Sequence, residues 1–343
     1  MAHGQVAGGG VPTGEWPVAG DGRLRRMAAT TLVEPAGLRV VASGLRFPEG
    51  PVALSDGSVL VVEIAGGVLT RVTPDGATTT VAECGGGPNG AAIGPDGAVY
   101  ICNNGGCFDW HERYGLLFPG SPPPADWPGH GSLQRVDLAT GEVETLLTES
   151  GGHPLRAPND LVFDGDGGLW FTDHGVREER MSDRTGVHWC RADGSEAREV
   201  AFPLDAPNGI GLSPAGDRLY VAETHTGRLW GWDVTGPGEL SGTGLTGPAG
   251  AELVGHPGGG ALFDSLAVDG DGWICVGTLG TEPGITAFST DGARVERTPL
   301  HDPLTTNVCF GPDGRTAYAT LSGTGQLVAF DWPRPGGVLA FSA

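Results

Sequence analysis

The sequence predicts an all-β protein, a six-bladed β-propeller whose ring is closed by an N-terminal strand that joins the last blade. Two observations carry this prediction. A hairpin signature, made of an apolar run, a turn of Gly and Asp and a second apolar run, recurs six times along the chain. The 343 residues include 62 Gly and 27 Pro. Because both residue types disfavour helices, an all-helical protein is a poor interpretation.

The six hairpins are spaced so that each has room for two further strands. The hairpins lie at 51–62, 91–102, 161–172, 210–221, 266–276 and 308–319. A third strand follows at 68–72, 133–137, 228–233 and 326–330, and a fourth is readable at 79–82 and 142–147. Six four-stranded units over about 300 residues are typical of a six-bladed propeller. Residues 38–42 form an apolar run without a blade of their own, and we expect them to complete the last blade.

The chain divides into a leader and one large domain. Residues 1–36 are rich in Gly, Ala and Pro without a period, and we expect a disordered leader there. Residues 37–343 are expected to form the catalytic propeller. Within blade 2, residues 103–132 make an unusually long connection that carries Trp110 and His111, and we interpret it as a lid-like insertion.

Composition excludes several classes of function. Acidic residues outnumber basic ones by 41 to 20, so the phosphate backbone of nucleic acid would be repelled. The sequence contains no Lys, which excludes a Schiff-base lysine, a pyridoxal phosphate enzyme and a lysine-bearing P-loop. The sequence has no run of eighteen apolar residues, so it does not predict a helix that spans a membrane.

Cysteine usage and the N-terminus bear on the compartment. The six Cys form no CxxC pair, and several lie inside apolar strand-like runs, which predicts reduced, buried thiols. The N-terminal residues lack the apolar core of a signal peptide. We therefore expect a cytoplasmic protein.

A polar residue stands at the start of the inner strand of every blade, where that strand meets the central channel. These residues are Glu49, Asn89, Asn159, Asn208, Asp264 and Asn307. Hard oxygen ligands that converge on one axis can bind a divalent cation. Turn chemistry offers an alternative for the Pro-Asn-Gly copies, but it does not account for Glu49 and Asp264. The repeated Asp-Gly-Asp-Gly turns at 164 and 269, in contrast, lack the later ligands of a calcium loop and are predicted to be structural.

These motifs resemble a known family. The segments 47–51, 158–160, 207–209 and the surroundings of Asp264 are similar to the senescence-marker-protein/gluconolactonase/luciferin-regenerating-enzyme family, over residues 38–332. The resemblance implies a six-bladed propeller that hydrolyses lactones with a divalent cation in its channel. It implies Ca²⁺ in the first place, with Zn²⁺, Mn²⁺ or Mg²⁺ as alternatives. In related diisopropyl-fluorophosphatases the same fold cleaves organophosphates.

Position by position, the resemblance implies that Glu49, Asn159, Asn208 and Asp264 are the metal ligands. It also implies that Asp264 is the base or the nucleophile. The sequence departs from the family pattern at Ser265, where Gly is usual, and at Ala157, where some members have a substrate-binding Arg.

The predicted function is therefore a metal-dependent hydrolase that opens a small-molecule lactone or ester. The cation would polarise the carbonyl group, and water would attack with help from Asp264. Direct attack by the carboxylate stays open. The alternatives are an organophosphate or aryl-ester hydrolase, a non-hydrolytic isomerase or cyclase, and a metal-braced binding module. The sequence contains no Gly-x-Ser-x-Gly motif, so a serine-hydrolase mechanism is disfavoured.

Further residues are candidates for contact with the substrate. Asn89 and Asn307 belong to the polar ring. Trp110 and His111 lie in the insertion, and His174 and His225 lie in connections on the same face. For the insertion, the alternative is a surface loop that packs its own aromatic residues into a small cluster. For His174 and His225, the alternative is a solvated loop histidine.

Overall fold

The computed structural model describes residues 30–245 and 247–342, and it confirms the six-bladed β-propeller. The described chain folds into strands, with one short 3-10 turn at Pro248–Gly250. The innermost strand of each blade contacts the innermost strand of the next blade, and that of the last blade contacts that of the first. The blades therefore form a closed ring around a central channel.

Each of the first three blades is a four-stranded antiparallel sheet, with the strands in chain order from the channel outwards. Blade 1 consists of Pro48–Ala53, Val59–Glu63, Val68–Val72 and Thr78–Glu83. Blade 2 consists of Pro88–Ile93, Val99–Asn103, Ser132–Val136 and Val143–Leu147. Blade 3 consists of Pro158–Phe163, Gly168–Asp173, Thr185–Arg191 and Arg198–Leu204. Two short strands, Glu149–Ser150 and His153–Pro154, pair between blades 2 and 3.

The last three blades follow the same order with additions at their outer edges. Blade 4 consists of Pro207–Leu212, Arg218–Glu223 and Arg228–Gly236, and the last of these pairs with both Glu239–Ser241 and Glu252–Gly255. Blade 5 consists of Leu262–Val268, Ile274–Leu279, Gly284–Phe288 and Val295–Pro299. Blade 6 contributes Thr305–Phe310, Thr316–Leu321 and Gln326–Asp331.

The N-terminal part of the described chain supplies strands to two blades. Arg39–Ser43 pairs antiparallel with Gln326–Asp331 as the outer strand of blade 6, so the predicted ring closure is confirmed. Thr30–Leu32 pairs in parallel with Val295–Pro299 of blade 5. The expectation of a disordered leader up to residue 36 is therefore wrong for this strand, because its backbone adds a fifth strand to the sheet. Residues 1–29 lie outside the described residues.

Apolar side chains pack between neighbouring blades and hold them at fixed positions. Between blades 3 and 4, for example, Trp170, Trp189, Trp230 and Trp232 are all buried in one cluster. Full burial of a large apolar side chain contributes about 1.5–3 kcal/mol. These interfaces fix the inner strands, and so they fix the polar residues that the inner strands carry.

Two minor predictions concern cysteines and turns. All six cysteines are free and buried, as expected for thiols that act as small apolar groups. In the blade 3 turn, Oδ1 of Asp164 accepts hydrogen bonds from the backbone N–H groups of Asp166 and Gly168, at 3.0 and 2.7 Å. Oδ1 of Asp269 does the same in blade 5 for Asp271 and Trp273. The turn aspartates are structural, as predicted. Among the described residues, no helix has the length and apolarity needed to cross a membrane.

Candidate active site

Every inner strand is irregular at the level of its predicted polar residue. The pairing register shifts in all six inner strands, and these shifts fall at 49/52, 88/91, 158/161, 207/210, 263/266 and 305/307. A bulge bends the strand and changes the direction of its side chains, and bulges are common beside active sites. The six polar residues of the sequence analysis therefore occupy one level of the channel, which we call the polar ring.

Close backbone contacts join the first three members of this ring. A Cβ atom added to Gly50 would lie 2.8 Å from the carbonyl oxygen of Asn89, and one added to Gly90 would lie 2.6 Å from that of Asn159. Real Cβ atoms do not approach so closely, so only glycine fits at these two positions. The Gly that follows Glu49 and Asn89 in sequence is thus explained by close packing of neighbouring blades.

The contacts continue around the ring. The hydroxyl of Thr172 in blade 3 donates a hydrogen bond of 2.6 Å to the carbonyl oxygen of Asn208 in blade 4. A Cβ atom at Gly209 would lie 2.8 Å from the carbonyl oxygen of Asp264 in blade 5. The structure therefore brings the predicted ring residues together at one level.

Glu49 is buried, and one of its two carboxylate oxygens has no partner. Oε2 accepts hydrogen bonds from the N–H of Gly50 and from Nδ2 of Asn307, both at 2.7 Å. Oε1 is buried without a hydrogen-bond partner. Burial raises the pKa of Glu49 to about 7, against the effect of these hydrogen bonds. Glu49 thus presents one unsatisfied oxygen.

The two asparagines differ in how they are held. Oδ1 of Asn159 is a second buried oxygen without a hydrogen-bond partner. Asn208 donates from Nδ2 to the hydroxyl of Thr224 at 3.1 Å, and its Oδ1 accepts from the hydroxyl of Ser265 at 3.3 Å. Thr224 therefore fixes the orientation of the Asn208 amide, and Ser265, which departs from the family pattern, contacts the ring directly.

Asp264 and Asp160 complete a group of three carboxyl groups with Glu49. Burial raises the pKa of Asp264 well above its usual value, and the charges of Glu49 and Asp160 raise it further. Burial, and then the charge of Glu49, raise the pKa of Asp160 to about 8. Asp160 is not among the site residues predicted from the sequence. Its signal was an Asp at the position where blades 1, 2 and 4 have Gly.

This arrangement fits a divalent cation. None of the three carboxyl groups forms a salt bridge within residues 30–245 and 247–342. Buried carboxylates and unpaired amide oxygens are costly unless something satisfies them. In the same part of the chain, no cluster of three or more His, Cys, Asp or Glu side chains could hold a metal ion by itself. Amide oxygens of asparagines would therefore have to serve as ligands together with the carboxylates. Such an oxygen-only donor set suits Ca²⁺, Mg²⁺ or Mn²⁺ better than Zn²⁺.

A second layer of polar residues holds the loops that lead into the ring. In blade 3, Asp173 at the end of the second strand accepts hydrogen bonds of 2.7 Å from the N–H groups of Arg156 and Ala157. Glu63, Asn103 and Glu223 play the same role in blades 1, 2 and 4. This layer was not predicted from the sequence, although a polar residue recurs at the end of the second, apolar strand of these blades.

The insertion in blade 2 reaches across the face of the ring. It contains a hairpin of Asp109–Arg113 and Leu116–Gly120. The N–H of Leu117 donates to the carbonyl oxygen of Gly323 in blade 6 at 2.9 Å, and Ser121 donates to the carbonyl oxygen of Arg177 in the blade 3 connection. Trp110 packs on Phe47, two residues before Glu49, with ring centroids 4.9 Å apart. The insertion therefore joins blades 1, 3 and 6 over the site.

Ala157, at the position of the family's substrate-binding Arg, lies beneath this insertion. It is buried in a small apolar cluster with Cys107 and Val176. The neighbouring Arg156 is held by Asp183 at 2.9 Å and stacks over Trp127 at 4.7 Å. Ala157 carries no guanidinium group, and that of the neighbouring Arg156 is already paired with Asp183.

The predicted histidines have different surroundings. His174 and His225 lie next to each other, with ring centroids 5.8 Å apart. Burial lowers the pKa of both, that of His225 to about 4 with a further contribution from the neighbouring His174. His111 instead lies on an exposed strand of the insertion, with Nε2 3.5 Å from Oδ2 of Asp109. The histidine pair is thus neutral near pH 7, and His111 stands apart from it.

Comparison with known proteins gives a family and two kinds of relative. The model of the SMP-30/gluconolactonase/LRE-like region matches residues 47–323. A gluconolactonase of Zymomonas mobilis is 24% identical over 311 residues, which are 83% of this chain and 79% of the relative. A diisopropyl-fluorophosphatase of Loligo vulgaris is 28% identical over 206 residues, 56% of this chain and 63% of the relative. The solved structure of a gluconolactonase from Xanthomonas campestris superposes with a TM-score of 0.67 at 20% identity, covering 87% of this chain and 91% of that one.

Proposed function

Because the chain belongs to the SMP-30/gluconolactonase/LRE-like family, we propose that it is a hydrolase that opens a small-molecule lactone at the polar ring. We propose further that Glu49, Asn159, Asn208 and Asp264 hold one divalent cation there, with Ca²⁺ as the first candidate. The gluconolactonase relative supports the reaction class.

One observation carries the metal part of this proposal. Oε1 of Glu49 and Oδ1 of Asn159 are buried oxygens without a hydrogen-bond partner, in a polar ring that also contains Asp264 and has Asp160 beside it. A cation would satisfy both oxygens and offset the burial, and the repulsion between carboxyl groups, that raise the pKa values of Asp160 and Asp264. When bound, it would supply Lewis-acid activation of the substrate's carbonyl group.

Asp264 is the group we assign to the attack. Its carboxylate accepts the proton of a water molecule as the water oxygen bonds to the lactone carbonyl carbon. The bond between that carbon and the ester oxygen of the lactone then breaks. The proton passes from Asp264 to the departing alkoxide, which gives a hydroxy acid. Positioned general-base catalysis of this kind contributes roughly 10²–10⁴-fold. Direct attack by the Asp264 carboxylate, followed by hydrolysis of the anhydride, is the alternative route to the same product.

Other residues orient the substrate in this proposal. The side chain of Asn89 has no hydrogen bond to another described residue, so its amide is free to bind a substrate oxygen. His174 and His225 are neutral and can donate or accept a hydrogen bond. Trp110 offers an aromatic face beside Phe47.

The same site offers a second candidate function, hydrolysis of an organophosphate or aryl ester. The match to the diisopropyl-fluorophosphatase favours it, although the chain covers 63% of that relative. The tetrahedral centre would then be phosphorus instead of carbon, with the same water and the same Asp264.

A substrate panel tests these functions together. Purified protein is assayed with five- and six-membered lactones, aryl esters and a fluorophosphate, with Ca²⁺ and after removal of metal by EDTA. Hydrolysis of lactones that is lost with EDTA and restored by Ca²⁺ supports the proposal. Turnover of the fluorophosphate alone favours the second candidate. Metal binding without hydrolysis of any compound contradicts both and leaves a binding module or a non-hydrolytic enzyme.

A further inference from the structure

A chain of hydrogen bonds runs through the buried junction of blades 6 and 1, beside Glu49. The hydroxyl oxygen of Thr306 lies 2.8 Å from that of Thr320 and 2.6 Å from that of Ser322. The hydroxyl oxygen of Ser322 lies 2.6 Å from the carbonyl oxygen of Pro48, the residue before Glu49. All three hydroxyl-bearing side chains are buried. We call Thr306, Thr320 and Ser322 the hydroxyl chain.

The number of protons fixes the direction of each bond in the hydroxyl chain. A hydroxyl group has one proton to donate, and a carbonyl oxygen has none. Ser322 must therefore donate to the carbonyl oxygen of Pro48, so the short contact between Ser322 and Thr306 uses the proton of Thr306. Thr320 is then the donor to Thr306. Thr306 thus has no proton left for another acceptor.

The acceptor that this arrangement leaves without a proton is Glu49. The hydroxyl of Thr306 is a neighbour of the Glu49 carboxyl group. Oε2 of that group already accepts two hydrogen bonds, whereas Oε1 accepts none from the described residues. Ser265 also has its hydroxyl beside this carboxyl group, and it donates to Oδ1 of Asn208 at 3.3 Å. The protons of both hydroxyls are thus directed away from Oε1.

We propose that Ser322 is a positioning residue for the cation, because it accepts the proton of Thr306 and so keeps Oε1 of Glu49 free as a ligand. This role rests on the proposed cation site at the polar ring. Without the hydroxyl of Ser322, the proton of Thr306 can turn to Oε1, which is the vacant acceptor of the carboxyl group. A cation must then displace a charge-assisted hydrogen bond before it binds that oxygen.

Calorimetric titration of the metal-free protein with Ca²⁺ tests this role in three variants. Ser322→Ala is expected to weaken Ca²⁺ binding by roughly ten- to hundredfold, the size of one hydrogen bond to a charged group. Thr306→Val removes the competing proton and should bind nearly as the wild type does. The double variant should bind Ca²⁺ more tightly than Ser322→Ala, because no proton is left to occupy Oε1.

The double variant also separates this role from a merely structural one. The hydroxyl of Ser322 joins blade 6 to blade 1 through Pro48, and loss of that bond alone would weaken the single and the double variant alike. Thr286→Val, on the third strand of blade 5, is the matched control. It removes a buried hydroxyl that lies 2.7 Å from that of Thr278, and Ca²⁺ affinity should stay unchanged. Ser322→Cys, whose thiol is a weak acceptor, replaces the alanine variant if that variant does not fold.

A crystal structure of metal-free Ser322→Ala gives a readout that needs no cation. The hydroxyl oxygen of Thr306 is expected about 2.5–3.0 Å from Oε1 of Glu49. A wild type that binds none of Ca²⁺, Mg²⁺ and Mn²⁺ would refute the proposed cation site, and the role of Ser322 with it. If the wild type binds Ca²⁺, equal affinity in Ser322→Ala, or no gain in the double variant, would overturn the role of Ser322 alone.

Discussion

Nδ2 of Asn307 donates a hydrogen bond of 2.7 Å to Oε2 of Glu49, across a sequence separation of 258 residues. This bond joins the last blade to the first at the level of the polar ring. It also fixes which oxygen of Glu49 is satisfied within the protein and which is left unpartnered. The position of the unpartnered oxygen is thus tied to closure of the propeller.

Glu49→Gln is expected to weaken Ca²⁺ binding by at least about tenfold, because it removes one charge from the ring while keeping an acceptor for Asn307. Calorimetric titration of the metal-free protein measures the affinity. Glu83→Gln, on the outer strand of blade 1, is the matched control and should bind as the wild type does. Equal affinity in both variants would remove Glu49 from the ligand set.

Asp264→Asn is expected to lower kcat by at least about 10²-fold while much of the metal affinity is kept, since the amide retains an oxygen but is neither basic nor nucleophilic. A loss of activity that excess Ca²⁺ restores would instead identify a ligand role alone. A single turnover in ¹⁸O water then separates the two chemical routes in the wild type. Label found on Asp264 after one turnover identifies attack by the carboxylate, followed by hydrolysis of the anhydride at the Asp264 carbonyl carbon. Label found only in the product acid means that water attacked the substrate's carbonyl carbon, as in the proposed general-base route.

Asp160→Asn is expected to raise the thermal stability of the metal-free protein and to weaken its binding of Ca²⁺. In EDTA the variant is expected to have a higher Tm than the wild type at pH 7. Burial and the charge of Glu49 raise the pKa of Asp160 to about 8, so folding must protonate this carboxyl group or bury its charge, and an amide avoids that cost. With Ca²⁺ its affinity for the ion should fall. Asp164→Asn, in the blade 3 turn, is the control and should have a lower Tm under both conditions. A lower Tm for Asp160→Asn in EDTA would show that its charge is tolerated without a cation.

Trp110→Ala is expected to raise KM for an aromatic or bulky lactone by roughly tenfold and to leave kcat nearly unchanged, because Trp110 lies beside the ring without belonging to it. Tyr114→Ala, at the exposed tip of the same hairpin, is the control. Steady-state kinetics with both variants decide the point. An effect of equal size in the two variants would point to the insertion as a whole and not to the indole ring.

His188 is expected to make the protein less stable in mild acid. Burial lowers the pKa of His188 to about 4, with a smaller contribution from His153. Its ring stacks on Phe171 at 5.1 Å. The unfolded chain takes up the proton near pH 6.5 and the folded protein only near pH 4, so stability falls as the pH decreases through this range.

Urea unfolding between pH 4 and pH 7.5 measures this effect. His188→Phe keeps the stacking on Phe171 and should flatten the pH dependence. His153→Gln, at an exposed position, should change it little. The same slope in wild type and His188→Phe would show that other groups control acid stability.

The sequence was sufficient for the fold and for the common level of the polar ring, because both depend on local repeats. Six hairpins and a polar residue at the start of each inner strand are visible in one chain read from end to end. The strand Thr30–Leu32 was not predictable, since it is short and exposed and is paired through the backbone alone. A parallel pairing with a strand more than 260 residues away leaves no local pattern.

Within the site, sequence reasoning failed where the environment decides the role. Asp160 follows Asn159 in what also reads as an ordinary turn, and only its burial beside Glu49 makes it part of the site. Asp173 and Glu223 were missed for a different reason. They act on the backbone of a loop more than fifteen residues earlier, and this relation exists only after the hairpin has formed.

Closure of blade 6 by Arg39–Ser43 has a consequence for synthesis of the protein in the cell. This strand leaves the ribosome long before its partner Gln326–Asp331, because almost 290 residues separate the two in sequence. At ordinary rates of translation the interval is roughly a quarter of a minute to a minute. During that time the nascent chain carries blades with an unpaired edge, and an unpaired edge is where strands of different chains associate. Slower translation or crowded polysomes should therefore favour aggregation of this protein before the strand Gln326–Asp331 is made.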